Sequence, residues 1–520
     1  MSDALPYHEG LNTFDWMMIL AYAALMLGLG IWYFRKQTDV KEYFIAGKGM
    51  GAMVVGISQF ATLVSTISYL GAPGETIKHG PVMLASILSL PFAYIIVGYI
   101  LIPRLVKERH ISAYALLEAK LGITGRILGA TMFIILRLMW MTAMVYISTR
   151  AMLMLFGLPI EAQPWLAIGL GSVAVAYTAL GGIRAVVVTD FIQFILLLGG
   201  ALLTLICITW AFGGISPWFP KQWDPSWSQQ PIFPADPYVR VTLIGTIVHF
   251  TAWYTCTAGG DQTIIQRFMS TPNAKKARHS YAWGLGAYVV VLPILGLVGF
   301  ALMAFFKEFP QAIEMARDAD DHFLLFIVHH LPRGAAGLVV VALCAAAMSS
   351  LDSGISSVSS VVISDCINRF KKNPDDANSH VKQAMLISVA IGVIIVLFSS
   401  IVGKVEGNIT DIAFKTANLF TSPLFGLFFL VFFIPFANPF GAVWGAIYGM
   451  AGAIYLAYWD SLTGDHAISI QWITIGSLLI DIIAGIIFSA IAAKCNSQKK
   501  LVIWSILAAL PILVFIVMAV

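Results

Sequence analysis

Charge is what this chain has least of. Only 11% of its 520 residues are Asp, Glu, Lys or Arg, against about 25% in a soluble domain. Hydrophobic residues make up 59%, and mean hydropathy is +0.85. A disordered chain, a nucleic-acid-binding protein and an ordinary soluble enzyme are excluded, because no soluble fold hides that much apolar surface. Cysteine is also scarce. Cys207, Cys256, Cys344, Cys366 and Cys495 show no CxxC spacing and lie in or beside apolar runs, so they read as buried thiols rather than a metal site or disulfide frame. The first sixteen residues carry Asp3, Glu9 and Asp15 and lack the basic region of a secretory signal. The first apolar run is therefore expected to be a retained helix entering from outside. Ala46-Gly47-Lys48 lacks the rest of a phosphate loop. His329-His330 has no third ligand at metal spacing and reads as an exposed outer loop. Asn408-Ile-Thr410 is a glycosylation sequon on the expected outer side.

Long apolar runs fill the space that charge leaves. Each is about 20 residues, enough to cross a hydrocarbon core about 30 Å thick. Fourteen membrane helices are expected, at 15–34, 50–76, 80–104, 125–156, 162–181, 185–212, 241–260, 280–305, 336–368, 382–402, 412–434, 440–458, 468–492 and 502–519. With the N-terminus outside, twenty-one of the thirty-one Lys and Arg fall on one set of loops and seven on the other. That asymmetry follows the positive-inside rule. Arg267 is counted with the basic set, and Arg137, Arg150 and Lys415 lie within helices. The fold class is an all-α polytopic membrane protein, its partner the lipid bilayer of the plasma (cell inner) membrane. Trp218, Trp223 and Trp227 suit an interfacial belt or a packed loop.

Two helices are poor helix-forming material at their centres. The second carries Ser58, Gln59, Thr62, Ser65, Thr66 and Ser68; the seventh carries Thr255-Cys-Thr-Ala-Gly-Gly260. They lie five helices apart, as broken helices do in transporters with inverted repeats, although small-residue packing enriches the same residues. The ninth helix places Ser349, Ser353, Ser356 and Ser360 in one stripe at spacings of three and four, with Ser350 and Asp352 beside it. Hydroxyls and a carboxylate supply the hard oxygens a small cation needs. Back-bonding to the helix explains the serines equally well, but not Asp352, since a carboxylate in a membrane is functional by default. Asp190 is a second such carboxylate, or an interfacial residue paired with Arg184.

Tyr43-Phe-Ile-Ala-Gly-Lys48, Gly56-Ile-Ser58, Ser112-Ala-Tyr-Ala-Leu-Leu-Glu118, Tyr177-Thr-Ala-Leu-Gly-Gly-Ile-Arg-Ala-Val-Val-Val-Thr-Asp190, Asp261-Gln-Thr-Ile-Ile-Gln-Arg267 and Ala345-Ala-Ala-Met-Ser-Ser350 stand in the order and spacing of one family. Over roughly residues 15 to 440 the chain resembles the sodium:solute symporter family, carriers of sugars, sialic acid, proline and vitamins. The resemblance implies a LeuT-like core of five plus five inverted repeats with about fourteen transmembrane helices. It also implies a principal sodium site from the carbonyls of Ala61, Val64 and Ala346 and the hydroxyls of Ser349 and Ser350. A second sodium site would fall on Asp190, Asp352 and Ser353. Asp352 replaces a hydroxyl of the family there, so it would make that site more acidic, carry a proton, or pair with a basic residue.

For the solute, Thr62, Ser65, Ser68, Arg137, Trp140, Tyr254 and Lys415 are the candidates. Two cations among them lean toward an anionic solute such as a carboxylate or acidic sugar. Lys415 would otherwise snorkel outward, and Arg137 would otherwise satisfy a backbone break or an aspartate. The domains expected are 1–48, an N-terminal segment with the first helix and a basic inner loop; 49–434, the transport core, with repeats 49–212 and 241–434; and 435–520, accessory helices. The expected function is sodium-coupled symport of a small organic solute by alternating access, with Na+ as the coupling ion, no nucleic acid, and one copy sufficient. A neutral sugar is the alternative solute, and an integral membrane enzyme the remoter alternative.

Overall fold

The computed structural model describes residues 7–36, 40–45, 49–107, 110–227, 230–309, 319–368, 377–402, 409–495 and 498–519, with side chains left undescribed at 40–41, 377–380, 402, 409–416, 498–499 and 512–519. Among the described residues it is all helix, without a strand. The main elements are α1 (Thr13–Phe34), α2 (Ala52–Leu63), α3 (Thr66–His79), the helical run α4 (Pro81–Leu105), α5 (Ala115–Phe156), α6 (Gln163–Phe212), α7 (Leu243–Gly260), α8 (Gln262–Met269), α9 (Ala274–Glu308), α10 (Asp321–His330), α11 (Ala335–Val361), α12 (Ala377–Val402), α13 (Ile409–Phe433), α14 (Pro439–Ala457), α15 (Ile470–Lys494) and α16 (Gln498–Ala519). Nine described helices are long and apolar enough to cross a membrane, or ten if α2 and α3 count as one bent span.

Backbone chemistry sets the interruptions. α6 runs through two expected spans, but Gly182 (φ 58, ψ −166) breaks it between them. Only glycine takes that conformation without a steric penalty. α2 and α3 meet at a 67° bend. α7 runs unbroken through Gly259-Gly260, and the interruption falls one residue later, at extended Asp261 (φ −88, ψ 118). α11 sits at the centre. Beyond Leu338 near its start it is buried all round, because Ala, Gly and Ser let α2, α5 and α6 approach closely. Its start is held from α1: buried Asp15 accepts hydrogen bonds from the Gly334 and Gly337 N–H groups, both at 2.8 Å.

Several expectations need correction. Cys207, Cys256 and Cys344 are buried, but Cys366 is exposed and Cys495 half-buried. Trp218 and Trp227 are buried in a packed loop, where Trp227 Nε1 donates to Ile77 O at 2.9 Å, while Trp223 is exposed. His329-His330 is not an exposed loop but the end of α10. His330 is 9% exposed and packs on Phe305 and Phe326. His329 meets the N-terminal segment through its ring and carbonyl, both bonded to His8. The Asn408 sequon lies outside the described residues.

Burial, reinforced by His329 and His8, pushes His330 down from its ordinary 6.5 to about 4. The opened segment therefore takes up a proton between those values that the docked one does not, and docking is fully present above pH 6.5 and lost as pH falls through that window toward 4. Once rates are divided by the intrinsic exchange rate at each pH, the protection of residues 321–330 should fall on acidification in the native protein and stay flat in His330→Phe.

Candidate functional site

The break between α2 and α3 exposes backbone to the centre of the helix bundle. The α2 ladder ends with Val64 N–H on Phe60 O at 3.0 Å, and Val64 and Ser65 are extended. The carbonyls that follow have lost their helical donors. α11 supplies replacements: Ser349 Oγ donates to Ala61 O at 2.9 Å and Ser350 Oγ to Thr62 O at 3.2 Å. Ser349 Oγ also lies 3.1 Å from Ala346 O. One hydroxyl proton cannot serve Ala61 and Ala346 together, so oxygen atoms outnumber donors here. Val64 is buried in the extended turn itself, and the Ser65 hydroxyl is buried without a partner. Such a surplus of hard oxygens fits a small cation.

A second cluster lies beside it. Arg267, wholly buried, donates to Asp190 Oδ2 at 2.9 Å through Nη2 and to Ser58 Oγ at 2.7 Å through Nε, and also reaches Ser353 Oγ. Ser58 Oγ donates to the same Asp190 oxygen at 2.5 Å. Thr62 Oγ1 and Ser353 Oγ are 2.9 Å apart. Asp352 is held from the other side by Tyr177 OH at 2.5 Å and by Ser353 Oγ at 3.2 Å. Asp190, Asp352 and Ser353 are thus brought together as expected, but around a guanidinium. Arg267 is not a loop cation, and Arg184 pairs with Glu42 at 3.3 Å rather than with Asp190.

The solute candidates are less convergent. Buried Arg137 forms an ion pair with Asp261, whose Oδ1 also caps α8 by accepting from Thr263 N–H at 2.8 Å. Thr62 turns its hydroxyl to Ser353, Ser68 is half-buried, and Trp140 packs on Ile67, Ala143 and Met144. Tyr254 lines a cleft with Gln59, Phe60, Thr257, Tyr281 and Tyr288, and the Gln59 amide there has no partner. Lys415 lies in α13 with its side chain outside the described residues. Arg267, Ser58, Tyr177 and Asp261 were not singled out as site residues. The signal for them is that all four fall inside or at the end of the quoted family motifs.

Residues 43–449 match the model of the sodium:solute symporter family. The chain belongs to that family. The sodium/sialic acid symporter SiaT of Proteus mirabilis is 29% identical over 445 residues, which cover 80% of this chain and 84% of that protein. The sodium-dependent multivitamin transporter of Oryctolagus cuniculus is 27% identical over 442 residues, covering 81% and 66%. A solved structure of a Na+-coupled sialic acid symporter, substrate-bound and outward-open, superposes with a TM-score of 0.79 at 25% identity, covering 92% of this chain and 98% of that one. The family places the chain among multi-pass, sodium-coupled membrane transporters, and Na+ is its coupling ion.

Proposed function

We propose that the chain couples the entry of Na+ to that of a small anionic organic solute by alternating access. The observation that carries the reading is Ser349 Oγ at 2.9 Å from Ala61 O, across the α2–α3 break. Ala61, Val64 and Ala346 through carbonyls, and Ser349 and Ser350 through hydroxyls, hold the ion. The ion replaces the serine protons as the partner of the carbonyls and pins broken α2–α3 against α11. The solute then binds near the break, and the bundle rocks to release both. About 2.3 kcal/mol per ion per 100 mV and about 1.4 kcal/mol from a tenfold gradient together sustain roughly 500-fold accumulation of a neutral solute.

At the second cluster, the Arg267 guanidinium takes the place of a second ion against Asp190, which is the pairing with a basic residue weighed as one role for Asp352, displaced by one carboxylate. Asp352 and Ser353 complete that cluster. The solute carboxylate is read by Arg137. Its fork already grips a carboxylate in Asp261, and a solute carboxylate would take Asp261's place while Thr263 N–H keeps Asp261 at the α8 cap. Relatives that carry sialic acid and monocarboxylates support an anion over a neutral sugar. About fourteen transmembrane helices, a five-plus-five repeat over 49–212 and 241–434, accessory helices over 435–520, an outside N-terminus and a sufficient single copy complete the proposal.

Reconstituted vesicles test it. Uptake of radiolabelled sialic acid or a monocarboxylate should rise at least tenfold when an inward sodium gradient replaces a potassium one. Equal uptake in both gradients across a panel of acidic and neutral solutes overturns it.

A further inference from the structure

One buried carboxylate outside the site has no partner on either oxygen. Asp481 is wholly buried in α15, and neither of its carboxyl oxygens has a hydrogen-bond partner. It belongs to a buried polar stripe, Gln471, Thr474, Ser477, Asp481 and Ser489, at helical spacing along the face that packs on α7, α13 and α14. The stripe's upper members are glue: Gln471 Nε2 donates to Thr246 Oγ1 at 2.7 Å, Thr474 Oγ1 to Asn418 Oδ1 at 3.2 Å, and Ser477 Oγ to Gly449 O at 2.9 Å. Asp481 bonds to nothing, so it does not serve as glue.

Its surroundings decide what it holds. Glycines form the cradle: a methyl at Gly426 would overlap Asp481 Oδ2, one at Gly445 would sit 2.9 Å from Oδ1, and one at Gly449 would sit 2.7 Å from the Asp481 Cβ. A metal ion needs several oxygen ligands, and carbon crowds the carboxyl on these sides. Among the described residues no group of three metal-capable side chains exists. No cation faces it from the described residues either. α13 from 417 to 433 has no ionisable residue, α14 offers only Tyr448, bonded to Ala508 O, and Tyr455, edge-on to Trp459, and α7 offers buried Cys256, Tyr254, which lines the cleft with Gln59, and His249 against Gln471 O. Lys120 of α5 is spent on the Val431 and Ile434 carbonyls. An ionised carboxylate in such a place costs several kcal/mol.

We propose that Asp481 is a proton-binding site built into the α13–α14–α15 seam, its carboxylic acid holding a proton while the seam is closed and releasing it to water only when α15 parts from α13. The seam then carries a proton-dependent latch between the accessory helices and α13, which also packs on α5 and α7. This reading is independent of the sodium site.

Infrared spectroscopy of the full chain in phosphatidylcholine vesicles tests it, compared with Asp481→Asn, a neutral isostere. The native protein should show the carbonyl stretch of a protonated carboxylic acid at neutral pH, lost in the variant. Its thermal midpoint should fall relative to that of the variant as pH is raised. If Asp481→Asn fails to fold, Asp481→Glu should shift the band instead of removing it. The proposal is overturned by a native spectrum with no band sensitive to residue 481, by a band that disappears when sodium chloride replaces potassium chloride, or by parallel thermal midpoints at every pH.

Discussion

Arg267→Met should leave little folded protein, and Arg267→Met combined with Asp190→Asn should recover much of it. Arg267 is wholly buried and is the only described cation on Asp190, whose second oxygen already lacks a partner. Removing one member of a buried ion pair typically costs about 3–5 kcal/mol, because the other charge is stranded. Neutralising both removes that cost, so the two losses should be strongly non-additive. Fluorescence-detected size exclusion and thermal midpoints give the readout. Sodium gives a second one. With Arg267 in place of a second ion, the double variant should show no larger stabilisation by sodium than the native protein. A larger sodium response in the double variant than in the native protein would overturn that assignment of the guanidinium.

The α2–α3 break could be read from the chain because hydroxyls replace apolar residues at the centre of a span, and a run of Ser and Thr competes with the helical ladder. The interruption after α7 falls beyond the stretch Thr255–Gly260 that the sequence marks as poor helix. Glycines signal weak helix, but the chain stays helical through Gly260, whose carbonyl is bonded by Tyr114 OH at 3.1 Å, and breaks where Asp261 caps the next helix. Arg267 was misplaced for a physical reason. Charge counting assigns every Arg near a span's end to water, whereas α8 continues inward past the break and carries its arginine with it. The serine stripe on α11 suggested a single polar face set against an outward apolar one, yet the apolar residues around it are as buried as the serines, packed against neighbouring helices. Asp481 sits in an apolar run whose neighbours give no hint of its isolation. Only packing shows that glycines from two other helices close over it.

Ser349→Ala should weaken sodium binding by roughly ten- to a hundredfold, and Ser349→Ala with Ser350→Ala should abolish sodium-driven uptake at ordinary sodium concentrations. A hydroxyl lost from a charged partner is worth about 1.5–3 kcal/mol, and each 1.4 kcal/mol is about tenfold. Ser349 should matter more than Ser350, because its oxygen lies near both Ala61 O and Ala346 O whereas Ser350 meets Thr62 O alone. Alanine favours the helix at least as well as serine, so the thermal midpoint in potassium should fall only by what the lost hydrogen bond to Ala61 O costs, about 1–3 kcal/mol, while the further rise on adding sodium shrinks. Ser356→Ala supplies the control. It removes a buried hydroxyl from the same helix that has no partner in the structure, and its sodium response should match that of the native protein. Should all three alanine variants lose the same sodium response, the effect belongs to the packing of α11. Should Ser349→Ala keep the native response, the ion does not bind at the α2–α3 break.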